Sequence, residues 1–387
     1  MKNWIEIGKE VMMPTYAPAP IVIDQAKGCT VTDIEGKEYL DFVAGIAVNS
    51  LGGGHPKLVA ALQDQVSKLL HVSNLYWTAP SVEAAELLAK ASGMDQVFFC
   101  NSGAEAVEGA IKLARKSGGD DKYEIIAMKQ SFHGRTFAAM SATGQPKYQK
   151  GYAPLVPGIV HVPFMDLEAV KAATTDKTVA VLFEVIQGEG GIHPVTSEYY
   201  QAVQAWCKTK GLLMIIDEVQ TGNGRTGSYF AYQQFGHRPD IVATAKGLGG
   251  GLPIGAVMAT KEAAANFQPG DHATTFGGNP MVTRAAATVL TVMEEENILE
   301  NVQKMGAYLK EQLLNIKTDH LLEVRGMGLM LGAELDIPAG PICKACAEKG
   351  LLLVGAGANV IRFVPPLVVK KEDIDLMISI LQEVMDA

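Results

Sequence analysis

Leu212-Leu-Met-Ile-Ile-Asp-Glu218 and, further along the chain, Asp240-Ile-Val-Ala-Thr-Ala-Lys-Gly247 are the stretches that decide the fold. Each contains a short apolar run that is typical of a buried strand. Asp217 closes the first run, and Lys246 follows the second at the start of a loop rich in glycine. An acid at the end of one strand and a lysine at the end of another indicate two charged groups that grip one bound molecule.

Strands and helices alternate on both sides of these stretches. Because each apolar run lies between helical or loop segments of suitable length, the pattern predicts an α/β fold with a mostly parallel, buried sheet. A run at Gly255–Thr260 follows its predecessor so closely that we expect it to be antiparallel. The other predicted strands are Gln96–Cys100, Glu124–Met128, Ile159–Pro163, Val179–Phe183, Leu212–Ile216 and Ile241–Thr244.

Length and segment order predict two domains. At 387 residues the chain exceeds the usual size of one domain. Short strand-like pieces such as Ile21–Ile23 precede the first helical periodicity, and helices mixed with short strands follow the alternating part. We therefore predict a large domain at 56–284 and a smaller α+β domain formed by both termini, 1–55 and 285–387.

Composition indicates an ordinary globular protein with a small-molecule partner. Apolar residues make up 48% of the chain and charged residues 19%. The net charge of −9, without a cluster of Lys and Arg, gives no footprint for nucleic acid or an anionic membrane. No apolar run approaches the ~20 residues that span a bilayer, and the start lacks the pattern of an export signal. We expect a soluble, cytoplasmic protein.

The five cysteines are too few and odd in number to predict a disulfide framework, which favours a reducing compartment. Cys343 and Cys346 match C-x-x-C, but no second pair accompanies them, and they lie in a helical-looking stretch, Pro341–Lys349. We interpret them as structural or incidental cysteines, and no metal site is predicted.

Beyond Cys100, a turn of small residues from Asn101 to Ala104 leads directly into a helix. Ligands of open α/β sheets bind at the carboxyl ends of the strands, and the free amides and positive end of a helix favour phosphate there. A simple helix N-cap at Asn101 or Ser102 explains this stretch equally well.

Two other strand ends carry candidate side chains. The loop after Met128 contains Phe132, an aromatic face, and Arg135, which can bind a carboxylate through two parallel hydrogen bonds. A glycine-rich loop further on contains Glu184 and Glu189. Taken alone, a loop phenylalanine is commonly part of the core, and an arginine is commonly a solvated charge.

The positions of Asp217 and Lys246 predict chemistry. A carboxylate behind an apolar strand is costly to bury unless it meets a cation, and a protonated heteroaromatic nitrogen is one such cation. Burial lowers the pKa of a lysine and frees its amine as a nucleophile. For either residue alone, a solvated strand-end charge is the simpler interpretation.

The turn Gly222–Gly227 matches G-x-G-x-x-G, the fingerprint of dinucleotide binding. In that fingerprint the glycines lie directly between a strand and a helix. Here the residues after Asp217 intervene, and no clear helix start follows Gly227. We interpret these glycines as a turn.

The ordered motifs together resemble the class III, ornithine-type family of pyridoxal-phosphate aminotransferases. The resemblance extends from Met13-Pro-Thr-Tyr-Ala-Pro18 and Gly45-Ile-Ala-Val-Asn-Ser-Leu-Gly52 to Ile361-Arg-Phe-Val-Pro-Pro366. It implies a fold-type-I transferase with a seven-stranded, mainly parallel sheet and a small domain built from both termini. It also implies a homodimer with active sites at the subunit interface.

The resemblance implies roles for the candidate residues. Lys246 is expected to bind pyridoxal phosphate covalently and to shuttle the substrate proton, while Asp217 keeps the ring nitrogen protonated. Arg135 is expected to bind the α-carboxylate of the amino donor. Arg362, paired with Glu189, is expected to bind that of glutamate or 2-oxoglutarate. Further cofactor contacts are expected from Ser102, Gly103, Ala104, Phe132, Glu218, Val219, Gln220 and, from the other subunit, Thr275; further substrate contacts are expected from Tyr16, Glu184 and Thr274.

The implied reaction transfers the δ-amino group of N-acetylornithine to 2-oxoglutarate, giving N-acetylglutamate 5-semialdehyde and glutamate, a step of arginine biosynthesis. Ornithine, succinylornithine and 4-aminobutyrate stay open as alternative donors. A decarboxylase or racemase would use much the same lysine and aspartate, and a nucleotide-binding oxidoreductase would rest on Gly222–Gly227. Three residues depart from the family pattern: Ala104 in place of Thr, Val185 in place of Pro, and Gly53 in place of His.

Overall fold

A computed structural model describes residues 2–386 of the chain. Its N-terminal part contains α1 (Trp4–Val11), β1 (Ile23–Lys27), β2 (Thr30–Asp33), β3 (Glu38–Asp41) and α2 (Ala44–Ala47). The middle part contains α3 (Pro56–Lys68), α4 (Ala79–Ser92), β4 (Gln96–Cys100), α5 (Gly103–Gly118), β5 (Glu124–Met128), α6 (Phe137–Ala142), β6 (Ile159–Val162), α7 (Leu167–Ala173), β7 (Thr178–Glu184), β8 (Ile186–Gln187), β9 (His193–Pro194), α8 (Ser197–Lys210), β10 (Leu213–Asp217), β11 (Ile241–Thr244), β12 (Gly255–Ala259) and α9 (Lys261–Ala264). The C-terminal part contains α10 (Pro280–Glu295), α11 (Ile298–Leu314), β13 (Leu321–Met327), β14 (Met330–Leu335), α12 (Ala339–Glu348), β15 (Leu351–Leu352), β16 (Val354–Gly355), β17 (Val360–Phe363) and α13 (Lys371–Met385).

The central sheet has seven strands in the order β4-β12-β11-β10-β7-β5-β6. β10 is parallel to β7 and β11, whereas β12 is antiparallel to β11 and β4. The predicted α/β sheet and its antiparallel strand are therefore confirmed. The apolar runs are continuous because both faces are covered. Ile215 packs in the core that contains residues of α5, and its neighbour Ile216 packs in the core that contains residues of α8.

The carboxyl ends of β7, β10 and β11 meet at one edge of this sheet. Asp217 lies opposite Glu184 on one side and Ala243 on the other. Lys246 follows β11 and begins a short 3-10 helix, Lys246–Gly249. The sheet thereby brings the predicted acid and the predicted lysine to the same place.

A second core joins the two ends of the chain. Phe42 and Leu51 pack there with apolar residues of α10, α11, α13 and β17. β13, β14, β17 and β16 form a four-stranded sheet, and β15 extends another sheet beside β3. The exact limits of the two domains stay a prediction.

The N-terminal segment differs from the prediction at two points. Trp4–Val11 forms a helix that the sequence patterns did not indicate, and none of its residues is buried. The first strand is Ile23–Lys27, so the predicted strand at Ile21–Ile23 overlaps it only at Ile23 and its bounds are wrong. Gly53, which departs from the family pattern, packs closely against the backbone of β1. A Cβ there would lie 2.8 Å from the Lys27 backbone nitrogen, so no side chain fits.

Within residues 2–386, no helix is both long and apolar enough to cross a membrane. The same part of the chain contains no group of three His, Cys, Asp or Glu side chains placed to hold a metal ion. All five cysteine thiols are unpaired, and Cys343 and Cys346 lie on α12.

Candidate active site

A cavity of about 470 Å³ opens at the carboxyl edge of the seven-stranded sheet. Its volume is in the range of small-molecule sites. Loops after β4, β5, β7, β10 and β11 contribute to it, as expected for an open α/β sheet. Most of the predicted cofactor and substrate residues line it: Ser102, Gly103, Ala104, Phe132, Arg135, Glu184, Glu189, Asp217, Val219, Gln220 and Lys246.

Lys246 projects from a strained turn in the cavity wall. Its φ of 43° lies in the left-handed region, which residues with side chains adopt mainly where the surroundings enforce it. Burial lowers the pKa of Lys246 to about 8; nearby Glu189 opposes this shift and Arg362 adds to it. About a tenth of the amine is therefore neutral at pH 7, far more than for a lysine of ordinary pKa, and a neutral amine is a nucleophile and a base.

Asp217 ends β10 almost fully buried, and its carboxylate has two partners. Oδ1 accepts a hydrogen bond from the Val219 amide at 3.0 Å, and Oδ2 lies 2.7 Å from His133 Nδ1. Burial opposes a charged His133, but the hydrogen bond and charge of Asp217 outweigh it and raise the pKa of His133. Sequence reasoning missed His133, whose one signal was its place between Phe132 and the loop arginine.

The first turn of α5 meets the cavity at Ser102 and Gly103. Ser102 is the N-cap, and its Oγ accepts a hydrogen bond from the Glu105 amide at 3.2 Å. The other amides at the start of a helix have no acceptor within the helix. A Cβ at Gly103 would lie 2.6 Å from Val219 Cγ1, so glycine is what allows this close approach. The free amides and the helix dipole together suit a phosphate.

Glu184 joins two of the loops that form the cavity. Its carboxylate accepts hydrogen bonds from the amides of Phe132 at 3.0 Å and Gly188 at 3.2 Å. Burial raises the pKa of Glu184 to about 7, although His133 opposes the shift. These bonds fix the backbone of Phe132, whose ring lies in the cavity wall.

Arg362, on β17, lies just behind the cavity wall. Its Nη1 donates a hydrogen bond to Gln220 Oε1 at 3.0 Å and pairs with the carboxylate of Glu189. Glu189 and Gln220 line the cavity, whereas Arg362 is 1% exposed. Within residues 2–386, the Nε of Arg362 has no hydrogen-bond partner, a costly state for a buried donor. Displacement of Glu189 would present this guanidinium to a carboxylate in the cavity.

Arg135 is an exposed residue of the cavity wall that stacks on two aromatic rings. Its guanidinium carbon lies 4.1 Å from the ring centre of Tyr148 and 5.7 Å from that of Phe132. The two rings meet edge to face, with centres 5.4 Å apart. Stacking of this kind orients a guanidinium and leaves its N–H groups available to a ligand. Sequence reasoning missed Tyr148, which lies in a separate turn.

Glu218 points away from the cavity, although it was predicted to contact the cofactor. Successive side chains of an extended chain alternate in direction, so Asp217 and Glu218 face opposite sides. The Glu218 carboxylate accepts hydrogen bonds from the Thr221 hydroxyl at 2.5 Å and the Tyr232 amide at 2.8 Å. Its side chain thus holds the segment after β10.

Three other predicted residues lie outside the cavity wall of this chain. Thr274 Oγ1 accepts a hydrogen bond from Asn101 Nδ2 at 3.0 Å, next to the start of α5. Thr275 is exposed at the surface. Tyr16 is 82% exposed. Their roles in binding stay predictions.

The glycines of Gly222–Gly227 form a turn, as interpreted from the sequence. Gly224 and Gly227 have φ values of 87° and 93°, which other residues rarely adopt. Between them and the sheet, Asn223 Nδ2 donates hydrogen bonds to Thr244 Oγ1 at 2.9 Å and to the Ala245 carbonyl at 3.0 Å. The turn therefore supports the end of β11 that leads to the cavity lysine.

Comparison with known proteins decides the family, because the model of the family "aminotransferase class-III" matches residues 11–385. The chain belongs to the class-III aminotransferases. This class-III aminotransferase is 48% identical to the acetylornithine aminotransferase of Methanocaldococcus jannaschii, over 99% of the chain and 98% of that protein. It is 51% identical to the acetylornithine aminotransferase of Caldanaerobacter subterraneus subsp. tengcongensis, over 97% of the chain and 98% of that protein. The solved structure of ornithine aminotransferase from Toxoplasma gondii matches with a TM-score of 0.95 at 32% identity, over 99% of this chain and 93% of that one.

The predicted family, enzyme class and cofactor, pyridoxal phosphate, are confirmed by these relationships. The cavity of this class-III aminotransferase also fits that cofactor chemically. Lys246 offers a partly neutral amine, and Asp217 offers a buried carboxylate for a ring nitrogen. The first turn of α5, whose amides have no acceptor within the helix, lines the cavity at Ser102 and Gly103 and suits a phosphate.

Proposed function

We propose that this class-III aminotransferase transfers the δ-amino group of N-acetylornithine to 2-oxoglutarate. The observation that carries the proposal is the pair of guanidinium groups at the cavity, Arg135 in its wall and Arg362 behind the carboxylate of Glu189. A donor that reacts at its side-chain amine and an acceptor that reacts at its α-carbon must bring different atoms to one place. Two carboxylate-binding groups allow both placements. The names of the relatives support N-acetylornithine as the donor.

Pyridoxal phosphate, when bound, supplies a ring that accepts electrons from the reacting carbon. Lys246 Nζ takes the proton from the amine-bearing carbon and returns it, and its pKa of about 8 suits both directions of transfer. The carboxylate of Asp217, oriented by its contact with His133, would hold a proton on the ring nitrogen. The amides at the start of α5, at Ser102 and Gly103 in the cavity wall, would hold the phosphate.

The two half-reactions use the arginines differently. With the donor in place, Arg135 binds its α-carboxylate while Glu189 stays paired with Arg362. With 2-oxoglutarate in place, Glu189 moves aside and Arg362 binds the α-carboxylate. Arg135 then binds the second carboxylate of the acceptor. The pairing of Glu189 and Arg362 keeps a buried charge compensated between turnovers.

A panel of amino donors tests the proposed function. Wild-type holoenzyme is incubated with 2-oxoglutarate and N-acetylornithine, ornithine, succinylornithine or 4-aminobutyrate, and glutamate is measured. The highest kcat/KM for N-acetylornithine supports the proposal. A clear preference for another of these donors contradicts the assignment of the donor, and release of carbon dioxide without glutamate contradicts the reaction class.

Tyr148→Leu is expected to raise the KM for N-acetylornithine about fivefold, the equivalent of the ~1 kcal/mol that an exposed cation–π contact contributes. The reason is that Arg135 loses the ring on which it stacks. Tyr148→Phe keeps the ring and is the matched control. Steady-state kinetics with varied donor measure both variants. Equal losses in the two variants would show that the hydroxyl, not the ring, supports binding.

The pH dependence of cofactor uptake is expected to follow the pKa of the Lys246 amine. Cofactor-free protein should take up pyridoxal phosphate faster as the pH rises and reach a plateau just above pH 8, because burial lowers the pKa of Lys246 to about 8. Visible absorbance follows the rate at each pH. An uptake rate that still rises steeply above about pH 9 would indicate a lysine with an ordinary pKa of about 10.4.

We infer further that two copies of the chain form a homodimer. Trp77 and Phe276 are 94% and 63% exposed, in segments that are joined by a hydrogen bond from Ser73 Oγ to the Thr275 carbonyl at 3.1 Å. Exposed apolar groups in such a patch favour a protein interface. Thr275 is exposed in the same segment, and we infer that it reaches the cavity of a second copy.

Trp77→Glu is expected to shift the protein from dimer to monomer, because it buries a charge in the inferred interface. Analytical ultracentrifugation measures the mass. Leu322→Glu is the matched control, since Leu322 is a 62% exposed apolar residue on β13. It should leave the dimer intact. A wild-type protein that sediments as a single chain contradicts the homodimer.

We also infer that the enzyme acts in the cytoplasm. The five unpaired thiols support a reducing compartment. Cell fractionation should recover the transaminase activity with cytoplasmic proteins, and recovery outside the cell or with membranes would contradict this location.

A further inference from the structure

Arg325, on β13, is a buried cation that the proposed reaction does not use. Across neighbouring strands, Arg325 lies opposite Gly332 of β14, and Gly332 lies opposite Arg362 of β17. Residues that lie opposite one another in adjacent strands share a face of the sheet. Two arginines therefore flank a glycine, and both reach the same loop, 188–192.

Arg325 binds the backbone of this loop. Its Nε donates hydrogen bonds to the Gly191 carbonyl at 3.0 Å and the Ile192 carbonyl at 3.1 Å, and its Nη2 donates to the Gly191 carbonyl at 2.7 Å. Its Nη1 pairs with the carboxylates of Glu323 and Glu334, which compensate the charge. Arg325 is not among the residues that line the cavity. Its contacts with the loop are thus contacts of support rather than of ligand binding.

The glycine between the two arginines, Gly332, allows the loop to pack closely on β14. A Cβ at Gly332 would lie 2.9 Å from Ile192 Cβ, closer than two such atoms approach. Ile192 is fully buried and has a φ of 57°. This conformation is costly for a β-branched residue and persists only where the surroundings hold it. The hydrogen bond from Arg325 to the Ile192 carbonyl and the close packing of Ile192 on Gly332 stabilise this conformation.

The same loop carries Glu189, the partner of Arg362. One side of the loop is anchored at Gly191 and Ile192, while the Glu189 side chain faces the cavity. With the backbone held, Glu189 releases and recovers Arg362 by side-chain rotation, which is far faster than loop rearrangement. A loosened loop would lose the defined position from which Glu189 shields the guanidinium.

We propose that Arg325 is a positioning residue for the dicarboxylate acceptor. Arg325 anchors loop 188–192 and thereby determines how Glu189 shields Arg362. This shielding controls the reaction with 2-oxoglutarate, whereas the reaction with the amino donor is little affected. The inference rests on the proposed function, in which Arg362 binds the α-carboxylate of the acceptor.

Two variants disturb the anchor in different ways. Arg325→Lys keeps a charge beside Glu323 and Glu334 but lacks the planar fork that spans two carbonyls. Gly332→Ala presses a methyl group on Ile192 and leaves both arginines in place. Gly340→Ala is the matched control, because a Cβ at this position of α12 meets nothing within 4 Å.

The two half-reactions of each holoenzyme are measured separately by rapid mixing. In Arg325→Lys and Gly332→Ala, kcat/KM for 2-oxoglutarate is expected to fall about tenfold, while that for N-acetylornithine changes less than about twofold. Gly340→Ala should match the wild type in both. An equal fall of both half-reactions, or no fall in either, overturns the inference.

Hydrogen exchange of the holoenzyme gives a readout that does not depend on turnover. The Ile192 amide donates to the Gln187 carbonyl at 2.9 Å, and it should exchange faster in both anchor variants than in the wild type and Gly340→Ala. Unchanged exchange overturns the inference whatever the kinetics show. A wild-type protein that does not convert 2-oxoglutarate contradicts the proposed function instead, and the exchange result still decides whether Arg325 anchors the loop.

Discussion

Replacing Lys246 by alanine is expected to lower kcat about 10⁴-fold, the upper end of what a positioned acid–base group contributes. Lys246 Nζ is placed to carry the substrate proton, because burial lowers its pKa to about 8 and so lets it both accept and release a proton. A methyl group can do neither, and it cannot form a covalent bond to the cofactor. Steady-state kinetics with N-acetylornithine and 2-oxoglutarate measure the loss. The visible absorbance of the protein after incubation with pyridoxal phosphate should change in parallel.

Lys129→Ala is the matched control for this experiment. Lys129 also follows a strand at the carboxyl edge of the sheet, but it is exposed and lies outside the cavity wall. Its loss should leave kcat unchanged. A Lys246→Ala enzyme that keeps more than about 1% of the wild-type kcat would contradict the role, since the smallest usual contribution of an acid–base group is about 10²-fold.

Asp217 and Lys246 could be predicted as a pair because local rules place them. Each follows a continuous apolar run, such a run predicts a parallel strand buried on both faces, and parallel strands end at one edge. The antiparallel β12 could be predicted for a similar reason, because the connection before it is too short for a parallel crossover. These features depend on neighbours in sequence, and the structure confirms them.

The supporting residues could not be predicted, because their partners are far away in the chain. His133 and Asp217 are 84 positions apart, and Arg325 is 134 positions from Gly191. A lone histidine or arginine in a sequence carries no sign of such a partner. Tyr148 is a further case, since only the folded chain brings it to the guanidinium on which the donor is proposed to bind.

Glu218 shows how a residue beside a cavity residue, Asp217, can itself lie outside the cavity wall. The motif places it next to Asp217, but alternation along the extended chain turns its carboxylate to the other side. There it accepts a hydrogen bond from the Tyr232 amide at 2.8 Å in a short 3-10 helix, Ala231–Phe235. Burial raises the pKa of Glu218 to about 7, which is a property of a structural carboxyl here rather than a sign of catalysis.

Asp217→Asn is expected to lower kcat about 10³-fold, a loss typical for removal of one preorganised electrostatic group. The amide has nearly the shape of the carboxylate but no charge, so it cannot hold a proton on the ring nitrogen of the cofactor. Steady-state kinetics measure the loss. Asp240→Asn is the matched control. Asp240 precedes β11 at the edge of the sheet away from the cavity, where its Oδ2 accepts a hydrogen bond from the Met214 amide at 2.8 Å. Its replacement should leave kcat intact.

The same substitution should change the pH dependence of stability, because Asp217 raises the pKa of His133 above its ordinary value of 6.5. A raised pKa stabilises the folded protein fully below the ordinary value, and the effect is lost as pH rises through the folded value. Asp217→Asn removes the charge that raises the pKa of His133. Burial then remains, and it disfavours a charged His133. Urea unfolding should therefore show a larger deficit in the free energy of unfolding at pH values below 6.5 than well above it. A deficit that is equal across that range would mean that Asp217 does not stabilise the charged form of His133. A nearly normal kcat would mean that the charge of Asp217 is not required.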